Sequence, residues 1–165
     1  VGPSTIDIAW DRHINDSLQL SQYILEKNAS IIDLGTGAGL PGAILHILGY
    51  SNILLIDSKI KKIKFIKEFA LEQNLKIKTI CTRVEKIQNQ NFDFIICRAF
   101  APLIKLLDYS LFFTKKNTSL LFLKGRNVMK EIEDAKKSFS FKYDLYPSIS
   151  AGGGFVLKIN KYKKL

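Results

Sequence analysis

The sequence predicts an α/β domain: a mostly parallel β-sheet with helices on both faces and an antiparallel hairpin at its C-terminal edge. Three observations lead there. Short apolar runs alternate with segments of helical periodicity along most of the 165 residues. Those runs are near-continuously apolar rather than apolar at every second residue, as in strands buried on both faces. Two strand-like segments follow one another at the C-terminus without a helix between them, which suits a hairpin.

The elements follow in order. Ile14, Leu18, Ser21 and Leu25 fall at helical spacing, so a helix is expected over about 12–27, with Asp11 as its cap. "SIIDL" reads as the first buried strand. "LPGAILHILGY" reads as a helix ending near Gly49, and "NILLID" as the second strand. A helix from Ser58 follows, capped by that serine, with Ile60, Ile63, Ile66 and Ala70 on its apolar stripe. "IKTIC", "FDFIIC" and "SLLFLKG" are the third to fifth strands. Helices are expected over 102–113 and 127–138, and strands in "FSFKYDLYP" and "GGFVLKIN".

No repeat or linker interrupts the chain, so a single domain over 1–165 is expected, opened by an N-terminal helical segment over 1–28. No apolar stretch is long enough to span a membrane. Cys81 and Cys97 form no metal-binding or disulfide pattern. Both lie in apolar runs, so buried reduced thiols, a cytoplasmic setting and no metal are expected. The net charge of +10 favours a polyanionic partner such as nucleic acid. A Lys-, Ile- and Asn-rich composition, of the kind an AT-rich genome produces, is the competing source of that charge. Against this lysine background the four arginines, Arg12, Arg83, Arg98 and Arg126, suggest sites needing a planar, forked donor.

The most informative stretch is "IIDLGTGAGLPG", residues 31–42. Gly35, Gly37 and Gly39 alternate directly after the first strand, at the carboxyl end of a central strand, where open α/β sheets bind ligands. One glycine would make a strand-to-helix turn; three at alternate positions imply a ligand lying against bare backbone. A P-loop needs Gly-Lys-Ser/Thr where Leu40-Pro41 stand, and the third glycine of a dinucleotide fingerprint falls on Leu40. What remains, Asp33-x-Gly35-x-Gly37-x-Gly39, resembles the first motif of the class I S-adenosylmethionine-dependent methyltransferases, with their Rossmann-like fold. Asp33 would suit a ligand carrying an ammonium group. Asp57 ends the second strand 18 residues after Gly39, where an acid accepts hydrogen bonds from ribose hydroxyls.

Further segments occur with this loop in one order: "RHINDSL", "LLIDS", "TRVE", "CRAFAPL" and "LKG". Together they closely resemble the GidB (RsmG) family, bacterial methyltransferases that modify guanine N7 in 16S ribosomal RNA. The resemblance covers nearly the whole chain, although only eleven residues precede "RHINDSL", where the family usually carries a further helical segment. It implies S-adenosylmethionine as cofactor, held by Gly35, Leu40, Val84, Glu85 and Arg98. It makes Arg12, His13, Arg83 and Lys124 candidates for contact with RNA, and Arg98 and Lys124 candidates for positioning. The implied partner is 16S ribosomal RNA or the small subunit, met by a monomer.

From the residues themselves, Val84 could cover an adenine face, while Glu85 could equally be a solvated helix-start acid. Arg98 could pair a cofactor carboxylate, clamp a phosphate, or form an ion pair with Asp33 or Asp57. Phe100 could stack on a guanine or pack in the core. Guanine N7 has an in-plane lone pair and no hydrogen, so no general base is needed, and no catalytic residue is assigned. A methyltransferase with another substrate, and a non-catalytic ribosome-assembly factor retaining the fold, are the alternatives.

Overall fold

In the computed structural model, residues 10–88, 90–150 and 153–165 are described. Seven strands form one sheet in the order β3-β2-β1-β4-β5-β7-β6. They are β1 Ile31–Leu34, β2 Ile53–Asp57, β3 Lys78–Cys81, β4 Phe92–Arg98, β5 Thr114–Lys124, β6 Phe139–Pro147 and β7 Phe155–Lys164. The first five are parallel to one another. β7 runs antiparallel to both β5 and β6, so the C-terminal hairpin enters the sheet by its second strand and β6 becomes the edge.

β1 is buried at all four positions, and its side chains alternate between two cores. Ile31 packs with Leu20, Tyr50, Ile63 and Ile66 on one face. Ile32 and Leu34 pack with Leu103, Leu107, Val128 and Ile132 on the other. The first core therefore takes α2 (Gly42–Ile47) and α3 (Ile60–Glu72). The second takes α4 (Leu103–Ser110) and α5 (Val128–Ala135).

Several local expectations are corrected. The N-terminal helix spans Trp10–Tyr23 rather than 12–27, as a π-turn (Trp10–Asn15), a short α1 (Asp16–Leu18) and a 3-10 turn (Gln19–Tyr23). Asp11 lies within that first turn rather than capping it, and accepts a bond from the Asn15 amide at 3.2 Å. α3 starts one residue later than a Ser58 cap requires, with Lys59 at the cap position. The Asp57 carboxylate instead takes the Lys59 N–H at 2.8 Å. Ile60 is two-thirds exposed, because the stripe that meets the core is Ile63, Ile66 and Ala70. Cys97 is buried as expected, but Cys81 is exposed, because β3 is an edge strand with little covering it.

Candidate functional site

The carboxyl ends of β1, β2, β4 and β5 converge at one end of the parallel sheet, and the loop after β1 lies at their centre. Gly35, Gly37 and Gly39 all take positive φ, at +68°, +61° and +93°, a region costly for any side-chain-bearing residue. A side chain at Gly37 would point into open space, with nothing nearer than 3.9 Å. That is the geometry of backbone offered to a ligand. Gly39 faces inward, where a Cβ would come within 3.1 Å of Ala43, so it serves the packing of the loop on its helix. Leu40 lines the same hollow as Gly35 and Gly37.

Asp33 does not face the crevice. It is fully buried beneath the loop, where its Oδ2 accepts the Thr36 hydroxyl at 2.6 Å and the Gly42 N–H at 2.9 Å. Its Oδ1 has no hydrogen-bond partner. Burial pushes the carboxyl up to about 7, against the pull of those two bonds, and nearby Asp57 adds to the rise. Direct pairing of Asp33 with a ligand ammonium is therefore corrected. The residue shapes the loop from below, and the absence of a side chain at Gly42 makes room, since a Cβ there would lie 2.8 Å from the same carboxylate oxygen.

Asp57 is placed as the sequence predicts. It ends β2 at the crevice wall, and its Oδ2 accepts the Gly37 N–H at 3.0 Å with the Lys62 ammonium 3.6 Å away. Beside it a hollow of about 220 Å³ is lined by Gly35, Arg83, Val84, Glu85, Phe100 and Tyr109, among others. Val84 is buried and Glu85 exposed, on a short 3-10 turn, Val84–Lys86. Glu85 is held below the usual carboxylate range by its own backbone N–H first, then by the Tyr109 hydroxyl. Tyr109 was not signalled by the sequence. It lies on α4 and reaches this hollow only through the packing of that helix.

A second hollow, of about 590 Å³, joins Gly35, Gly37 and Leu40 to His13 and Arg98. The Arg98 guanidinium meets the His13 ring at Nδ1, so two residues 85 apart in sequence share one wall. An ion pair of Arg98 with Asp33 or Asp57 is not what organises those carboxylates; backbone N–H groups, Thr36 and Lys62 do. A third hollow, of about 670 Å³, begins at Arg98 and Phe100 and extends to Asn127, Lys130 and Phe155.

Phe100 stands between the first and third hollows. Its ring lies directly over Gly35, where any Cβ would collide with it, and its centroid is 6.0 Å from that of Tyr109. It is 40% exposed, so core packing does not describe it. The preceding Ala99 takes φ +47°, a strained conformation for a residue with a Cβ.

Lys124 lines the third hollow. Its side chain is 8% exposed, and its ammonium pairs with Glu131 at 2.6 Å and donates to the Ala101 carbonyl at 3.2 Å. Glu131 also accepts the Leu103 N–H at 2.8 Å. Lys124 thus braces the turn that carries Ala99 and Phe100. Arg83 is exposed at the rim of the first hollow. The Arg12 side chain lies outside the described residues.

Comparison with known proteins decides the family. The family model described as rRNA small subunit methyltransferase G (GidB) matches residues 1–153. The chain belongs to that family. A Ribosomal RNA small subunit methyltransferase G of Rickettsia prowazekii is 38% identical over 165 residues, covering 100% of this chain and 85% of the relative. One from Dinoroseobacter shibae is 34% identical over 167 residues, covering 98% and 86%. Among solved structures, an Aquifex aeolicus SAM-dependent methyltransferase superposes with TM-score 0.72 at 16% identity, over 98% of this chain and 100% of that one. The ribosomal protein L11 methylase of Lactobacillus delbrueckii subsp. bulgaricus gives 0.71 at 19% identity, over 88% and 77%. At these identities the two structures bear on the fold, which is the class I methyltransferase fold expected from the sequence.

Proposed function

We propose that this member of the rRNA small subunit methyltransferase G family uses S-adenosylmethionine to methylate a guanine N7 in 16S ribosomal RNA, acting as a cytoplasmic monomer. The observation that carries the reading is the open, positive-φ backbone at Gly37 beside the Asp57 carboxylate. That donor set fits an adenosyl ligand: bare main chain to lie against, and an acid at the second strand end to accept ribose hydroxyls. Gly35, Gly37 and Leu40 would hold the ligand from the loop side, Asp57 its ribose, and Val84 and Glu85 its adenine. Arg98 would hold its carboxylate end. Asp33 and Gly39 contribute through the shape of the loop.

When bound, the cofactor supplies an electrophilic methyl group and a sulfide leaving group. The chain's part is to align and dry the reacting atoms, since N7 carries its lone pair in the ring plane and has no proton to lose. Arg98 would align them, a role supported by its bordering both the loop hollow and the third hollow. A guanine drawn out of its RNA stack would enter the third hollow past Phe100, whose partly exposed ring offers a stacking surface. Arg83, exposed beside the first hollow, and His13, lining the second, would meet RNA.

The test is transfer of tritiated methyl to small subunits lacking the modification, followed by chemical cleavage at N7-methylguanine and comparison with protein acceptors. Label at a single cleavable guanine supports the reading. Label on protein, or on RNA at a position resistant to that cleavage, overturns it.

A further inference from the structure

The β6–β7 hairpin carries a basic face that neither core nor crevice uses. Along β6, Phe139, Phe141, Tyr143 and Leu145 pack toward the core shared with α4 and α5. Ser140, Lys142, Asp144 and Tyr146 therefore occupy the opposite face. Register sets Tyr146 opposite Val156, Asp144 opposite Lys158, Lys142 opposite Lys161 and Ser140 opposite Lys163. The N-terminal helical segment reaches this face at Tyr146, where the Tyr23 ring lies 5.0 Å away between centroids. Past that point Lys142, Lys161 and Lys163 are exposed. Among the described residues none of the three pairs with a carboxylate.

Like charges directly opposite one another weaken a sheet, so the pairing of Lys142 with Lys161 costs the fold something. Lysine on an edge strand blocks unwanted strand pairing, and that accounts for Lys142 on β6. Lys158 lies between two bonded strands, opposite Leu121 on one side and Asp144 on the other, where an opposite-charge pair accounts for it; Lys161 and Lys163, further along the same strand, have no acid opposite them. A polyanion laid across the face would relieve the repulsion and use Lys142, Lys161 and Lys163.

We propose that this face is a second RNA-docking surface, gripping the phosphate backbone of small-subunit RNA at a distance from the target guanine. The inference rests on the function proposed above. Phe155 lines the crevice on the α4–α5 side of the sheet, and Lys163 lies eight residues further along the same strand on the opposite side, so the two ends of the footprint are at least roughly 27 Å apart at ~3.4 Å per residue. A substrate gripped at both ends must be RNA of that reach, not a short loop around one base.

The experiment compares wild type with the triple variant Lys142→Gln, Lys161→Gln, Lys163→Gln. A control loses the same charge at the opposite sheet edge, by Lys67→Gln, Lys76→Gln and Lys78→Gln. Binding to protein-free 16S ribosomal RNA and to assembled small subunits is measured across a salt series, with S-adenosylhomocysteine affinity and thermal unfolding in parallel. The hairpin variant is expected to lose about two in the slope of log affinity against log salt, and at least roughly tenfold in affinity at low salt. Its cofactor affinity stays at the wild-type value, its unfolding temperature stays at or somewhat above wild type because the Lys142–Lys161 repulsion is gone, and the control keeps its slope. An unchanged slope, an equal loss in the control, or a loss seen only with assembled subunits and not with naked RNA overturns the proposal; the last would assign the face to a ribosomal protein. Wild type that neither binds nor methylates ribosomal RNA would instead sink the proposed function.

Discussion

Replacing Asp33 by asparagine tests how the glycine loop is held. The native carboxyl is pushed from 3.8 to about 7 by burial, which means that the folded protein keeps a proton the unfolded chain would release. Each pH unit between the two values corresponds to about 1.36 kcal/mol, so the whole interval amounts to about 4 kcal/mol. The sign follows from proton binding. Below pH 3.8 both states are protonated and the stabilisation is complete. As pH rises toward 7 the unfolded chain gains by ionising, and above 7 the advantage of the folded state is gone. Asparagine does not titrate. Its carbonyl oxygen can keep the bonds from Thr36 and Gly42, and its amide takes the place of Oδ1, which already lacks a partner. Urea unfolding of both proteins between pH 5 and pH 8 should show wild type losing about 3 kcal/mol relative to Asp33→Asn, most of it below pH 7. A difference that stays flat with pH would mean that Asp33 is ionised throughout, and that the two hydrogen bonds outweigh burial.

The site makes other outcomes measurable. Arg98→Ala should lower methyl transfer at least about a hundredfold, the scale on which a misplaced reactant loses rate, with little change in unfolding temperature; equal losses in both would mark Arg98 as structural. Lys124→Met strands the partly buried Glu131 and should cost about 2 kcal/mol in urea unfolding, with no change in the salt slope of RNA binding. Phe100→Ala uncovers the Gly35 backbone. It should tighten S-adenosylhomocysteine binding by calorimetry and lower kcat/KM for RNA; weaker binding would make the ring a wall of the cofactor site.

Much of the fold is legible in the sequence because β1, β2 and β4 are largely buried on both faces and announce themselves as near-continuous apolar runs. Legibility fails where burial fails. β5 begins at Thr114, five residues before its apolar run, because "TKKNT" extends the strand without hydrophobic residues. Cys81 sits in an apolar run yet is exposed, since a run does not reveal that its strand is an edge. Within the site, the loop glycines and Asp57 lie where spacing predicts, because their roles depend on local backbone and strand ends. The sequence misplaces Asp33, and it does not show how Lys124 is held, because their partners settle their roles. Thr36 is near enough that an Asp-x-x-Thr pattern could have signalled it. Glu131 comes to Lys124 only when α5 docks on the sheet.

The claim on which the rest depends is that an adenosyl ligand lies against the main chain at Gly37. Gly37→Leu isolates it. The new side chain meets nothing of the protein within 3.9 Å at its Cβ, and the positive φ costs roughly 1–2 kcal/mol, so the variant should fold. Titration calorimetry with S-adenosylhomocysteine on wild type and on this variant, each first shown to be folded by circular dichroism, is the direct measurement. Binding by wild type and none by the variant is the predicted result. Equal affinity in the two would contradict it.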